Sequence, residues 1–412
     1  MSAAVYDVTF VGGGLVGLAG ALLIKNAAPE NTRIAVIEAG KAPAAPTDEV
    51  GLRVSALSMA SAKLLEHCGV WDALGDYRLE TYSGMCVWQE DFEYDTERAL
   101  NFSAAELGRA GLGYIAENDV LRYLLWQAVE AAGIDVICAR PAELSVGEDA
   151  VAIEFEGADS VATRLLVGAD GANSWVRRSL EIETRGDNYG QKAIVGNISS
   201  EHPHQDTAWQ RFLAGGPVAL LPLPDGRCSI VWSCQSDEAD RLLELDDEAF
   251  AAELTAATDG VLGQLRCTTP RAAFPLSHAH AVAYSGKRFA LIGDAAHRIH
   301  PLAGQGVNLG LLDAAALAET VGAHLDIKFA DPGDALMLAR FERWRRRDND
   351  QTLAMMNALH SLFAGGTGDT ASAVAHAGGL GLAAVNAVTP LKRIFAEHAM
   401  GIAGDLPAAA RQ

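Results

Sequence analysis

The feature that most constrains this chain is a glycine turn near its start, Gly12-Gly13-Gly14-Leu15-Val16-Gly17. It separates an apolar strand-length run at 5–11 from an apolar helix-length run at 15–26. In this G-x-G-x-x-G spacing, Gly12 permits a tight turn and Gly14 lets the backbone approach a diphosphate, while Gly17 lets the helix pack close to the sheet. The free N–H groups at the start of the helix then favour an anion. A second strand-length run, 33–38, ends in Glu38, 21 residues after Gly17, where a carboxylate can accept both hydroxyls of a ribose. Strand, turn, helix, strand and acid in this order form a βαβ unit and open a parallel sheet. An acid at that strand end disfavours a 2′-phosphate, so FAD or NAD fits better than NADP.

Two further motifs repeat a short apolar strand, a Gly and Asp, and a helix. One is Gly168-Ala169-Asp170-Gly171-Ala172-Asn173-Ser174 with Arg177 a turn later; the other is Gly293-Asp294-Ala295-Ala296-His297, continuing through His300 and Pro301 to Gly304-Gln305-Gly306-Val307-Asn308. Either aspartate alone would read as a helix N-cap. Both together, downstream of a dinucleotide fingerprint, point to FAD. The Gly304–Gly306 run before an apolar helix suits a flavin pyrimidine that gains negative charge on reduction. Between the motifs, residues 85–102 and 192–274 are rich in strand-type sequence, with one acidic helix expected near 246–257. The strand ahead of Gly168 is expected to be short, at 165–167, and the last third largely helical.

The net charge of −21 argues against a nucleic-acid partner. The cluster Arg343, Arg345, Arg346 and Arg347, closed by Asp348 and Asp350, reads as a solvated helix face or a partner contact. Six scattered cysteines without metal-ligand spacing suit a reducing cytoplasm and no metal. The start of the chain lacks the basic opening of a secretion signal. The longest uncharged stretch, 377–391, is too short and too interrupted by glycine and proline for a spanning helix, which leaves a cytoplasmic protein with peripheral membrane contact open.

The three motifs resemble those of single-component, FAD-dependent aromatic hydroxylases, and within them the hydroxylases of ubiquinone biosynthesis. Supporting segments run almost end to end: Leu52–Leu57, 168–177, Thr207–Phe212, 293–310, Leu391-Lys392 and Ala399-Met400-Gly401. Leu64-Leu65, Gly69-Val70-Trp71, Gly84-Met85, Val87-Trp88, 229–233 and Asp405-Leu406-Pro407 resemble the VisC-like polyprenylphenol hydroxylase branch. One departure is Ala375-His376-Ala377-Gly378, where family members often carry an arginine.

The resemblance implies an α/β fold: a Rossmann-type (GR2-like) FAD-binding domain interleaved with a β-sheet substrate domain, plus C-terminal helices. The expected partition is 1–80, 105–180 and 280–330 for FAD, 81–104 and 181–279 for substrate, and 331–412 for the helical region. It implies that Glu38 holds the adenosine ribose, that Arg53 and Arg122 approach the diphosphate and ribityl chain, and that Asp294 binds one of these. Asp170 belongs to the same cofactor site, and Pro301, Gly304, Gly306, Val307 and Asn308 surround the isoalloxazine. NADH or NADPH as transient reductant and O2 complete the chemistry, through a flavin C4a-hydroperoxide that transfers its distal oxygen to a phenol ring.

The implied substrate is a polyprenylated phenol of ubiquinone biosynthesis, hydroxylated at C5, with membership of a biosynthetic complex also expected. Trp88, Trp209, Phe212 and Trp232 are the expected ring-binding wall. His297 and His300 read as structural, and no catalytic base stands out. Two other readings are a hydroxylase of a small soluble aromatic acid, for which the sequence offers no identifiable fixed cation, and a flavin-fold scaffold, against which the intact motifs count.

Overall fold

The computed structural model describes residues 4–96, 99–186, 188–298, 305–363, 397 and 400–411. Ala4–Val11 is an inner strand of an eight-stranded sheet. Val8 and Phe10 enter one core, and Val11 enters the core on the other face. Burial on both faces explains why this run is continuously apolar rather than alternating. Its parallel neighbours are Ile34–Glu38 and Ala158–Gly168, and the sheet extends in parallel to Asp135–Cys138 and Phe289–Leu291. Val11 pairs with Ile37 and with Gly168, and Gly168 pairs with Leu291. All three glycine motifs therefore leave the sheet at one edge, the carboxyl ends of its strands, where open α/β sheets bind ligands.

The strand before the second motif has 11 residues, Ala158–Gly168, rather than three. Its first half pairs antiparallel with Val151–Phe155, which in turn pairs with Pro141–Val146; short polar alternation hides such an edge extension from a search for buried strands.

A second eight-stranded sheet runs in the order Leu265–Cys267, Asn188–Ser200, Cys228–Gln235, Gly216–Pro222, Thr207–Leu213, Gly84–Gln89, Leu100–Ser103, and Ala272–Ser277 also pairs with Asn188–Ser200. Thr207–Leu213 and Gly84–Gln89 pair in parallel, which joins the two distant sequence stretches into one sheet. The interleaved architecture is thus seen directly in the strand pairing. A smaller sheet, Val54–Leu57, Gly113–Glu117 and Leu79–Tyr82, is separate from both.

One face of the second sheet (Ile194, Val218, Leu220, Ile230, Trp232) packs under two helices, Ser236–Glu244 and Asp247–Ala257, through Ala239, Leu242, Phe250 and Leu254. The sequence suggested only the later of these helices. The earlier is so rich in charge that its two buried positions, Ala239 and Leu242, barely mark a period.

Gln305–Leu325 shares a core with Leu15–Ala27, and Ala335–Phe363 follows it. Here the arginine cluster departs from a solvated face. Arg343 and Arg347 are exposed, but Arg345 is 0% exposed, in line with buried Phe341 and Asn349 one turn to either side. Helical period places 341, 345 and 349 on the inner face. Residues 375–378, all of 377–391, Leu391-Lys392 and Ala399 lie outside the described residues. Among the described residues, no helix is long and apolar enough to cross a membrane.

Candidate active site

The glycine turn has the backbone its spacing calls for. Gly12 sits at φ +115°, and a Cβ there would lie 2.4 Å from the Ala169 carbonyl oxygen; one at Gly17 would lie 2.0 Å from the oxygen of Gly12. Gly14 is different: a Cβ would meet nothing within 4 Å. The first and third glycines are therefore required by the fold, whereas the space beside Gly14 is open, as an approaching diphosphate needs. Glu38 Oε2 accepts from the Gly13 N–H at 2.7 Å and Oε1 from the Gly40 N–H at 2.7 Å. The Arg122 Nε–H donates to the Gly13 carbonyl at 2.9 Å, and its guanidinium lies 3.7 Å from Glu38. This places Arg122 at the Glu38 end of the site.

The second motif packs directly on the first through Ala169. Asp170 Oδ2 accepts from the N–H groups of Trp175 and Val176 at 2.6 and 3.0 Å, so half of this carboxylate caps a helix. Its Oδ1 is buried without a hydrogen-bond partner, which leaves an acceptor for a bound group. Arg177 ties this motif to the third, donating to Ala172 O at 2.7 Å and to Ala295 O at 2.9 Å. Val16 closes the triangle, lying 3.2 Å from where a Cβ of Gly293 would stand.

The turn from Gly293 to His297 is held from beneath by Asp313. Its Oδ2 accepts from the Gly293 N–H at 3.0 Å and lies 2.5 Å from His297 Nε2, while Oδ1 accepts from Arg345 Nε at 2.8 Å and Asn349 Nδ2 at 3.3 Å. Arg345 also donates to Asp348 and Asn349 at 2.8 and 2.9 Å. Burial by itself would raise the Asp313 pKa, but His297 and Arg345 hold it well below the usual carboxylate range. Asp294, at the tip of the turn, is reached by solvent through the adjoining cavity, yet desolvation by the surrounding protein raises its pKa against the pull of His297, Arg298 and Arg53.

That cavity has a volume of about 340 Å³ and opens at the meeting point of the motifs. Arg53, Asp294, Arg298, Gly306 and Val307 line it on the flavin-motif side, and Val195, Ala219, Leu221 and Val231 on the side of the second sheet. Ser55 donates to Asn118 Oδ1 at 2.6 Å, and both residues line the cavity. The expected aromatic wall needs correction: of the four rings only Trp209 lines it. Trp88 and Trp232 alternate onto the helix-covered face, since cavity-facing Met85, Val231 and Ser233 have the opposite parity, and Phe212 is buried in the sheet outside the cavity lining.

Asn308 is 2% exposed, and its side chain is fully engaged within the protein: Oδ1 accepts from Ser58 N at 2.9 Å and Ser61 Oγ at 2.7 Å, and Nδ2 donates to Ala56 O at 2.9 Å. It fastens the start of the helix Gln305–Leu325 to the cavity-lining strand Val54–Leu57. Pro301, Gly304 and His300 lie outside the described residues.

Sequence reasoning missed Arg298, whose Nε is buried without a hydrogen-bond partner, and with it a cation at the cavity. It also missed Asp313, although one acid in the otherwise apolar run 309–318 was a readable sign of a buried pair.

Residues 5–332 match the FAD binding domain family. The chain is 38% identical to ubiquinone hydroxylase UbiL of Rhodospirillum rubrum over 96% of its length and 90% of the relative. It is 35% identical to 3-demethoxyubiquinol 3-hydroxylase of Escherichia coli, covering 96% and 98% of the two chains. It is also 34% identical to the human mitochondrial ubiquinone biosynthesis monooxygenase COQ6, covering 94% and 91%. Among solved structures, p-nitrophenol 4-monooxygenase PnpA of Pseudomonas putida shares the fold, with TM-score 0.74, 16% identity and coverage of 97% and 98%. Three convergent motifs, a 340 Å³ cavity at their junction and this likeness over nearly the whole chain agree. The chain belongs to the ubiquinone-biosynthesis hydroxylases, a family of FAD-dependent monooxygenases that use NAD(P)H and O2.

Proposed function

We propose that this chain hydroxylates the aromatic ring of a polyprenylated phenol on the route to ubiquinone, at C5. The observation that carries the reading is the cavity. Its far wall offers Val195, Ala219, Leu221 and Val231 to an apolar ligand, with Gln210, Ser229 and Ser233 among them, while its charged groups, Arg53, Asp294 and Arg298, gather at the flavin motifs. The names of the relatives, a ubiquinone hydroxylase, a 3-demethoxyubiquinol 3-hydroxylase and a ubiquinone biosynthesis monooxygenase, support the same pathway.

In this reading FAD lies along the carboxyl edge of the parallel sheet. Glu38 accepts the adenosine ribose hydroxyls, Arg122 neutralises charge beside it, and the N–H groups after Gly12 and Gly14 receive the diphosphate. Arg53, Asp170 and Asp294 face the middle of the cofactor, with Gly306, Val307 and the backbone of Asn308 at the pyrimidine; Pro301 and Gly304 complete the set. FAD held here and reduced by NADH or NADPH would supply the activation of O2, one atom going to the ring and the other to water. The protein orients the ring against the apolar wall, excludes water and balances charge with Arg53 and Arg298. The proposed partition remains 1–80, 105–180 and 280–330 for FAD, 81–104 and 181–279 for substrate, and 331–412 for the helices.

Arg298 lends weight to a second reading, a small aromatic acid paired with that cation. The two separate cleanly. In the first, Arg298→Gln leaves turnover of a prenylated phenol within about tenfold; in the second, it abolishes turnover of a benzoate. Quinone-intermediate profiling in cells lacking the protein tests the pathway and the ring position. Accumulation of a precursor unhydroxylated at C5 is expected, and an unchanged intermediate pattern overturns the proposal.

A further inference from the structure

The connection between the helices Gln305–Leu325 and Ala335–Phe363 presents apolar side chains to solvent. Phe329 is 90% exposed, Leu336 78% and Ile327 62%. Phe329 also holds a left-handed backbone, φ +64°, which a bulky residue adopts only under constraint. The constraint is visible. Ala330 N donates to Ile327 O at 3.0 Å, Ala330 O accepts from Arg164 at 3.3 Å, and Asp331 receives both Nη groups of Arg288 at 3.0 and 2.6 Å. Asp334 caps the next helix through Met337 N at 2.7 Å. The loop is anchored on its inner side while its apolar tips point outward.

The helix that follows continues this surface with charge. Leu336, Arg340, Arg343 and Arg347 are all exposed and recur at helical spacing along one face, with Lys328 beside the Phe329 ring at the near end. Asp326 and Asp350 are the exposed acids at its two ends, and Asp334 is engaged in its cap. Asp331 is paired with Arg288 and Arg164, Glu342 with Arg346, and Asp348 with Arg345, while Glu148 and Asp149 are exposed beside Arg288, on the anchored side of the loop. On a chain of net charge −21 this is a local exception.

We propose that this face, from Ile327 to Arg347, docks the protein on an anionic lipid bilayer. Isolated projecting apolar side chains beside a row of cations match an interface in which tails accept the tips and headgroups meet the arginines. The acidic remainder of the surface is repelled by such a membrane, which leaves this face to set the orientation. The proposal rests on the prenylated substrate only for its purpose; the surface itself is tested without substrate.

The test is flotation of the FAD-loaded full chain with phosphatidylcholine vesicles, with and without phosphatidylglycerol. Wild type is expected to float with the anionic vesicles. Phe329→Ser with Leu336→Ser should lower partitioning at least tenfold. Arg340→Gln, Arg343→Gln and Arg347→Gln together should lower it on the order of a hundredfold, from about fivefold per cation, and remove the dependence on phosphatidylglycerol. Flavin absorbance and helix content of both variants should match wild type, which separates lost docking from lost folding. Wild type that fails to float, or variants that float unchanged, overturns the proposal. So does a change in oligomeric state or in a co-purifying protein without a change in flotation. A protein that floats as expected but hydroxylates no prenylated phenol defeats the proposed function and leaves the docking surface standing.

Discussion

Replacing Arg345 with methionine tests the most demanding feature of the fold. The Arg345 guanidinium and Asp313 carboxylate are both 0% exposed. Removal of one partner from a buried pair typically costs about 3–5 kcal/mol, because the other is left charged in a poor solvent. Asp313 would keep Gly293 N–H, His297 and Asn349, so the lower figure, about 3 kcal/mol, is expected. Urea unfolding of the apoprotein, followed by far-UV helix signal, measures it. Arg345→Met paired with Asp313→Asn should cost much less than the two single changes added, since the uncompensated charge is gone. The pH dependence has a defined sign. The depressed Asp313 carboxylate contributes stability that is fully present above its unfolded pKa and lost as pH falls through its folded one. Without Arg345 the folded pKa moves up toward the unfolded one, so the loss should be smaller and complete at higher pH. A change within about 0.5 kcal/mol, the range of a surface substitution, would refute the assignment of Arg345 to the core.

Gly14→Ala should fold normally yet bind FAD at least tenfold more weakly by fluorescence titration, whereas Gly17→Ala should destabilise the apoprotein itself, because only the second substitution strikes backbone. Asp294→Asn should stabilise the apoprotein at neutral pH while weakening FAD retention. A carboxyl whose folded pKa is raised penalises its ionised form in the fold above that pKa, and the amide removes the penalty; equal or lower stability of the variant would count against this. His280 is lowered to about 4, chiefly by burial and then by His297. Between the usual imidazole value of 6.5 and about 4 the unfolded chain binds the proton and the folded chain does not, so stability should fall as pH drops across that window. The slope should be shallower in His280→Asn, measured by thermal midpoint across the same range.

The glycine turn, Glu38 and both Gly-Asp motifs could be read from sequence because backbone geometry and phosphate chemistry demand particular residues at particular spacings. The parallel sheet was legible for the same reason: strands buried on both faces carry continuous apolar runs. Three things were hidden. The wall of the cavity depends on strand parity, and aromatic content alone cannot say that Trp88 and Trp232 face the covering helices while Val231 and Ala219 face the cavity. Arg298 reaches the cavity only because the short pair His297–Arg298 lies against Ala279–Ala281, a long-range contact with no local signature. Arg345 sits in a run of arginines, and composition drew attention away from the helical period that buries it. Asn308 is the converse: its place in the motif suggested the cofactor, whereas its side chain is bonded to Ser58, Ser61 and Ala56.

The central claim is that this cavity delivers oxygen to the ring of a prenylated phenol held against reduced FAD. It is tested most directly by giving the purified, FAD-loaded protein NAD(P)H, isotopically labelled O2 and a polyprenylated phenol, then analysing the ring by mass spectrometry. The account predicts one labelled hydroxyl per ring, with NAD(P)H oxidation stimulated by the phenol. An unmodified ring, with NAD(P)H oxidised at the same rate whether or not the phenol is present, would contradict it.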